Sequence, residues 1–315
     1  MEFRTKVPIS EQEPKMDYRS KIFLTGSCFV ENIGKKLDYY QFQSLQNPLG
    51  ILFHPFAIEN LFQKLASNYE YGDEDVFFHN ERWHCFDAHS SLSSKSGKDL
   101  VEKLNSRLEE TRNFLKEASH VVITLGTSWY YHHLESETDV ANCHKLPQKN
   151  FRKALADPEE VKLSVESSLH RLKELAPGAK VIFTISPIRH LKDGFTENQW
   201  GKSNLITAIQ KEVSYNSEVA YFPSYEIVMD ELRDYRFFSE DMIHPNNIAI
   251  SYIWENFVKA WMSGSAMATM REIEGVQRDL AHKPFNPESE AHKKFLEKLD
   301  IKIKDLESRF PHISF

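Results

Sequence analysis

Two short segments carry the residues best suited to chemistry: Thr25-Gly26-Ser27-Cys28-Phe29 and Asp241-Met242-Ile243-His244-Pro245-Asn246. The serine follows an apolar run, Lys21 to Leu24, after the turn residues Thr25-Gly26, and precedes a helix-like stretch from Val30 to Tyr40. A strand-to-helix turn of that kind places the backbone N–H groups of Ser27 and Cys28 at a helix N-terminus. Orphan donors and the helix dipole favour a developing negative charge there. The plainer alternative is that Ser27 caps the helix while Gly26 permits the turn. In the second segment an acid stands three residues before a histidine. A short turn then sets both side chains on one side, so the carboxylate binds one imidazole nitrogen and the other points outward. A capping aspartate beside a surface histidine is the plainer alternative in that case. Taken together, Ser27, Asp241 and His244 have the types and chain order of nucleophile, orienting acid and general base in an esterase-type site. The G-x-S-x-G elbow is missing, and acid and base are too close in sequence for the separate loops of the α/β-hydrolase fold.

Positioning these groups requires a scaffold, and the sequence predicts one. Short apolar runs end in turn residues at Lys21–Leu24, Val121–Leu125, Val181–Ile185 and Val219–Phe222, as expected of strands buried on both faces. Helical periodicity separates them, with Leu100, Leu104, Leu108 and Leu115 in residues 98–118 and Val161, Val165, Leu169, Leu172 and Leu175 in residues 158–175. The alternation predicts a three-layer α/β/α domain over about residues 15–263 with a mainly parallel sheet, whose ligand sits beyond the carboxyl ends of the strands. An aromatic insert at residues 71–94, with Phe77, Phe78, Trp83 and Phe86, is expected to cap the site. A further helix over about 248–262 is followed by a helical C-terminal extension at 264–315, broken at Pro284-Phe285-Asn286-Pro287. Its stripe of Phe295, Leu299, Ile303, Leu306 and Phe310 needs a cover, either the domain's own surface or a second copy in a homodimer.

The chain resembles the GSCFA family of SGNH (GDSL-like) hydrolases, whose name motif stands here as Gly26-Ser27-Cys28-Phe29 with Val30 in place of alanine. Family-like segments recur at Asn47-Pro48-Leu49-Gly50, Leu125-Gly126-Thr127-Ser128-Trp129, Asn142-Cys143-His144-Lys145, Ser186-Pro187-Ile188-Arg189-His190 and Asp241-Met242-Ile243-His244-Pro245. The resemblance implies an SGNH-like fold, with Ser27 as nucleophile, Asp241 and His244 as acid and base, and Gly50 as an oxyanion donor, beside the Cys28 N–H that the helix start offers. Its usual third block, G-x-N-D, is replaced by Gly126-Thr127-Ser128-Trp129, so Ser128 or the Asn142 amide must stand in for the missing asparagine. Trp129, His144, Arg189 and His190 are the candidate substrate-binding residues. The implied substrate is an O-acyl ester on a carbohydrate. A free hydroxyl in place of water would make the enzyme an acyltransferase, and a non-catalytic ligand-binding protein is the rival class.

Composition excludes other classes. A net charge of -7 offers no general attraction to nucleic acid or anionic membrane. No stretch approaches the length of a bilayer span and the first twenty residues lack a signal-peptide core, so a cytoplasmic location is expected. Cys28, Cys85 and Cys143 are too scattered for a disulfide framework or a structural zinc site. No histidine pair has tight metal-ligand spacing, and no glycine motif supports a nucleotide, so no metal or cofactor is expected.

Overall fold

The computed structural model describes residues 4–315. Five parallel strands form the central sheet: β1 (Lys21–Gly26), β2 (Gln43–Gln46), β5 (His120–Leu125), β9 (Lys180–Ile185) and β10 (Val219–Phe222), in the order β10-β9-β5-β1-β2. Alternation along each strand divides the core in two. Phe23, Val121, Ile123, Val181, Phe183 and Val219 face the first cluster, whereas Ile22, Leu24, Val122, Ile182, Ala220 and Phe222 face the second. Helices α2 (Pro55–Ala66), α3 (Gly97–Leu115), α4 (Pro158–Leu175) and α5 (Phe195–Tyr215) contribute to the first cluster. On the other face lie α1 (Phe29–Tyr39), α7 (Asn247–Trp261), α8 (Gly264–Leu280) and α9 (Glu290–Arg309). Three layers result, α/β/α, with the direction of winding reversing between β1 and β5. That reversal opens a crevice at the carboxyl ends of β1 and β5, the usual ligand position in such a sheet.

β2 has the sequence Gln-Ser-Leu-Gln, too polar for the apolar-run criterion, and it survives as a strand because it is the sheet's edge. Two smaller sheets stand outside the central one. A hairpin joins β3 (Phe77–His79) to β4 (Arg82–His84) within the aromatic insert. An antiparallel sheet of β6 (Trp129–His133), β7 (Thr138–Val140) and β8 (Phe151–Leu155), ordered β7-β6-β8, rises just after β5. A single turn, α6 (Ser224–Glu226), runs into a wider turn at Ile227–Leu232.

The C-terminal stripe is covered by the chain itself. Leu299 and Leu306 are buried in the second cluster with Trp254, Phe257 and Trp261, and Phe295, Ile303 and Phe310 pack against it. Phe310 also meets Tyr18 at 5.0 Å between ring centroids. The helices continue the outer layer of the same core.

Candidate active site

Ser27 sits immediately beyond β1, in the crevice at the winding reversal. Its N–H donates to the Thr124 carbonyl at 2.9 Å, which anchors the turn to β5 but removes that N–H from any oxyanion hole. Gly26 has φ +136, and a side chain there would strike the Thr124 carbonyl, so this approach needs glycine. Cys28 is the N-cap of α1, and its side chain makes no capping hydrogen bond. Burial and Glu31 push its thiol up, so Cys28 offers a helix-terminal N–H rather than a thiolate. The Ser27 hydroxyl is fully buried and has no hydrogen-bond partner.

The second segment forms the turn its spacing requires. Asp241 Oδ2 lies 2.6 Å from His244 Nδ1, while Asp241 Oδ1 accepts the N–H groups of Ile243 and His244, each at 2.9 Å. Those two backbone bonds, His244 first, and then the imidazole hold the Asp241 carboxyl down at about 2. The turn carries strain, because Met242 has φ +60. Arg189 holds it from outside: its Nη2 donates to the Met242 carbonyl at 2.7 Å, and its guanidinium lies 4.9 Å from the Phe238 ring centroid. His244 is therefore oriented by Asp241 on one nitrogen and reaches the crevice with its ring.

A cleft of about 710 Å3 joins these groups. Trp129 and Tyr131 of β6, Phe151 of β8 and the segment from Val140 to Gln148 form one wall; Ile188 to Asp193, Ile243 and His244 form the other. Cys28, Phe53 and Thr127 also line it. The cleft thus gathers Cys28, Trp129, Asn142, Arg189, His190 and His244; Ser27 precedes the lining residue Cys28 without itself lining the cleft, and Asp241 bonds His244. Among the described residues no three His, Cys, Asp or Glu side chains assemble as a metal-ligand group, and no helix is long and apolar enough to cross a membrane.

The profile of the GSCFA family matches residues 21–257, taking in the serine turn, the cleft walls and the Asp241–His244 turn. The chain belongs to the GSCFA family. A second profile, the GSCFA domain protein C-terminal domain, matches residues 273–315, most of α8 and all of α9. No curated protein matches the chain. Among solved structures it is similar to an acetyl xylan esterase, Est2A, from the rumen bacterium Butyrivibrio proteoclasticus, at 12% identity and TM-score 0.40; the alignment covers 88% of this chain and 66% of that one. It is also similar to a carbohydrate esterase family 3 protein from Talaromyces cellulolyticus, at 9% identity and TM-score 0.32, over 81% of this chain and 99% of that one.

Three residues expected in this GSCFA site do other work. Gly50 donates its N–H to the Asn47 carbonyl at 2.8 Å and does not line the cleft. Its φ of +77 and the His89 Cβ 2.5 Å from where a side chain would begin show why glycine stands there. Ser128 is fully buried and donates to the Gly201 carbonyl at 3.1 Å, so its hydroxyl is spent on α5. His144 is also buried, with Nε2 2.7 Å from the Cys85 carbonyl and Nδ1 3.2 Å from Ser90 Oγ; burial pushes it down to about 4 and leaves it no nitrogen for substrate. Asn142 fares differently. It lines the cleft and uses only Oδ1, on the His144 N–H at 2.8 Å, which leaves its amide donors free.

The aromatic insert does not cap the cleft, since no residue of 71–94 lines it. Its apolar side chains are consumed closer to home: Trp83 packs on Phe78 and Gly97, and Phe86 stacks on Phe77 and His133. The Phe86 carbonyl accepts the N–H groups of Ala141 and Asn142, so the insert buttresses the cleft wall from behind.

One residue of this site was missed in the sequence. Lys202 on α5 is 1% exposed, and its Nζ donates to the Ser186 carbonyl at 2.6 Å. Burial pushes it down to about 7. The signal was there: Asn198, Lys202, Leu205, Ile209 and Glu212 recur at helical spacing on one face of α5, so a lysine occupies a core-facing position. That face serves the site through polar contacts. Asn198 Oδ1 accepts the His190 N–H at 2.8 Å, and Gly201 receives Ser128.

Proposed function

We propose that this GSCFA protein is an SGNH-type serine esterase that cleaves an O-acyl ester through an acyl-enzyme. The observation that carries the reading is the Asp241–His244 pair at 2.6 Å, at the same sheet edge as a serine whose hydroxyl has no hydrogen-bond partner. His244 Nε2 takes the Ser27 proton as Oγ attacks the ester carbonyl, and Asp241 stabilises the imidazolium that forms. The carbonyl electron pair moves to oxygen, facing the Cys28 N–H at the start of α1 and the Asn142 amide. Collapse expels the alcohol, which receives its proton from His244. Water, activated by the same histidine, then releases the acid. The rings of Trp129, Tyr131 and Phe151 along one wall suit the apolar faces of a sugar, so an acylated carbohydrate is the substrate class proposed.

A fluorophosphonate probe tests the reading. Labelling is expected in the parent and in Ser217→Ala and should vanish in Ser27→Ala. Labelling that survives Ser27→Ala puts the nucleophile at another residue and overturns the assignment, whereas none in a folded parent leaves a non-catalytic binding protein as the better account.

A further inference from the structure

We infer that His190 supplies the oxyanion donor that this chain lacks in its third block, giving Nε2–H to the developing alkoxide as Ser27 attacks. The inference rests on the esterase reading. Its structural basis is the inventory of donors around Ser27. The N–H of Ser27 is held by Thr124, the N–H of Gly50 by Asn47, the N–H groups of Gly126 and Thr127 by the Phe53 carbonyl, and the Ser128 hydroxyl by Gly201. The Cys28 N–H and the Asn142 amide remain, and so do the buried side-chain nitrogens Asn47 Nδ2 and His190 Nε2, neither with a hydrogen-bond partner; of these two, only His190 belongs to a residue lining the cleft. A buried polar atom without a partner is costly, and such atoms persist where function uses them.

The placement fits that use. A methyl group on Gly126 would lie 3.1 Å from His190 Nε2 and 3.2 Å from Ser27 Cβ, so both atoms border the same point above the Gly126 α-carbon. The missing side chain at Gly126 is what lets the imidazole approach the nucleophile. The residue is held at its backbone, where the His190 main-chain N–H donates to Asn198 Oδ1 at 2.8 Å, and Phe53 meets the imidazole edge-on at 5.4 Å.

Donor rather than base is the role the surroundings permit. Burial first, then the charges of Lys202 and His244, push His190 down to about 3, so the ring stays neutral at working pH. No carboxylate bonds it among the described residues, whereas His244 has Asp241. During attack the Ser27 proton therefore goes to His244. His190 keeps its proton and gives only a hydrogen bond, strengthened as charge builds on the carbonyl oxygen.

Steady-state kinetics on a short-chain aryl ester test this with His190→Ala and His190→Gln, the latter placing an amide N–H in the same region. His190→Ala should lower kcat by about 10² to 10³-fold with KM changed only a few-fold. His190→Gln should recover at least about tenfold of that loss, with the acidic limb of the pH–kcat/KM profile unmoved because His244 remains the base. Circular dichroism checks folding, and His190→Phe replaces alanine if the cavity unfolds the protein. Undiminished kcat in the variants lacking the donor overturns the inference. So does a glutamine variant as inactive as alanine with the acidic limb lost, which would make His190 the base. Failure of the probe to label Ser27 in the parent overturns the esterase reading itself; labelling together with indifferent His190 variants overturns only the donor role.

Discussion

Replacing Lys202 by methionine should stabilise the fold while damaging the site. A lysine normally near 10.5 that burial holds at about 7 has lost, at about 1.4 kcal/mol per pKa unit, on the order of 5 kcal/mol relative to the unfolded chain. Methionine matches the length of the stem and carries no charge. It strands the Ser186 carbonyl, which Lys202 contacts at 2.6 Å, and an unsatisfied buried acceptor costs about 1–3 kcal/mol. The net expectation is a gain of about 2–4 kcal/mol at pH 7. The pH dependence is the sharper test. Below about 7 the lysine is charged in both states and the full penalty applies; between about 7 and 10.5 the folded form has released the proton that the unfolded form keeps, so parent stability rises with pH. Denaturant unfolding followed by circular dichroism should thus show the variant's advantage shrinking by about 2–3 kcal/mol from pH 7 to 9. Turnover should fall at the same time, by roughly 10²-fold, because the Ser186–His190 loop loses its tether and small displacements of reacting groups are expensive. A variant less stable than the parent at pH 7, or stability curves that run parallel from pH 7 to 9, would refute the reasoning.

Asp241→Asn keeps an acceptor for the turn but can present N–H to His244 Nδ1 and impose the wrong tautomer, so kcat should drop by as much as about 10⁴-fold with little change in unfolding midpoint; a loss below tenfold argues against an orienting role. Gly126→Ala introduces a methyl 3.1 Å from the Phe53 carbonyl and from His190 Nε2, and should cut kcat by about 10²-fold, read from ester kinetics; parent-like turnover would show that this space is not used. Leu306→Ala removes a side chain 1% exposed in the second core cluster and should cost about 2–5 kcal/mol in chemical denaturation; a cost below about 1 kcal/mol would mean that α9 adds little to the core.

The sequence was informative wherever the interactions are local. Continuous apolar runs marked β1, β5, β9 and β10 because strands buried on both faces have no polar side to alternate with. Helical spacing marked α3, α4, α7, α8 and α9 to within a few residues. The acid-to-histidine spacing pointed to the 2.6 Å pair, since a turn of four residues brings the two side chains together, although Arg189 also braces that turn. Other features depended on contacts between residues far apart in sequence. Edge position makes a strand of the polar β2, and the insert turned out to buttress the cleft wall because Phe86 found partners in its own neighbourhood and in β6 and β8. Which donors remain unspent around the serine turn was likewise decided in three dimensions. Ser128 is spent on Gly201, 73 residues away, and His144 on Cys85, 59 residues away, whereas His190 Nε2 is left with no partner. Residue type fixes what a side chain can donate or accept, but only the packed chain determines whether a neighbour has already taken it.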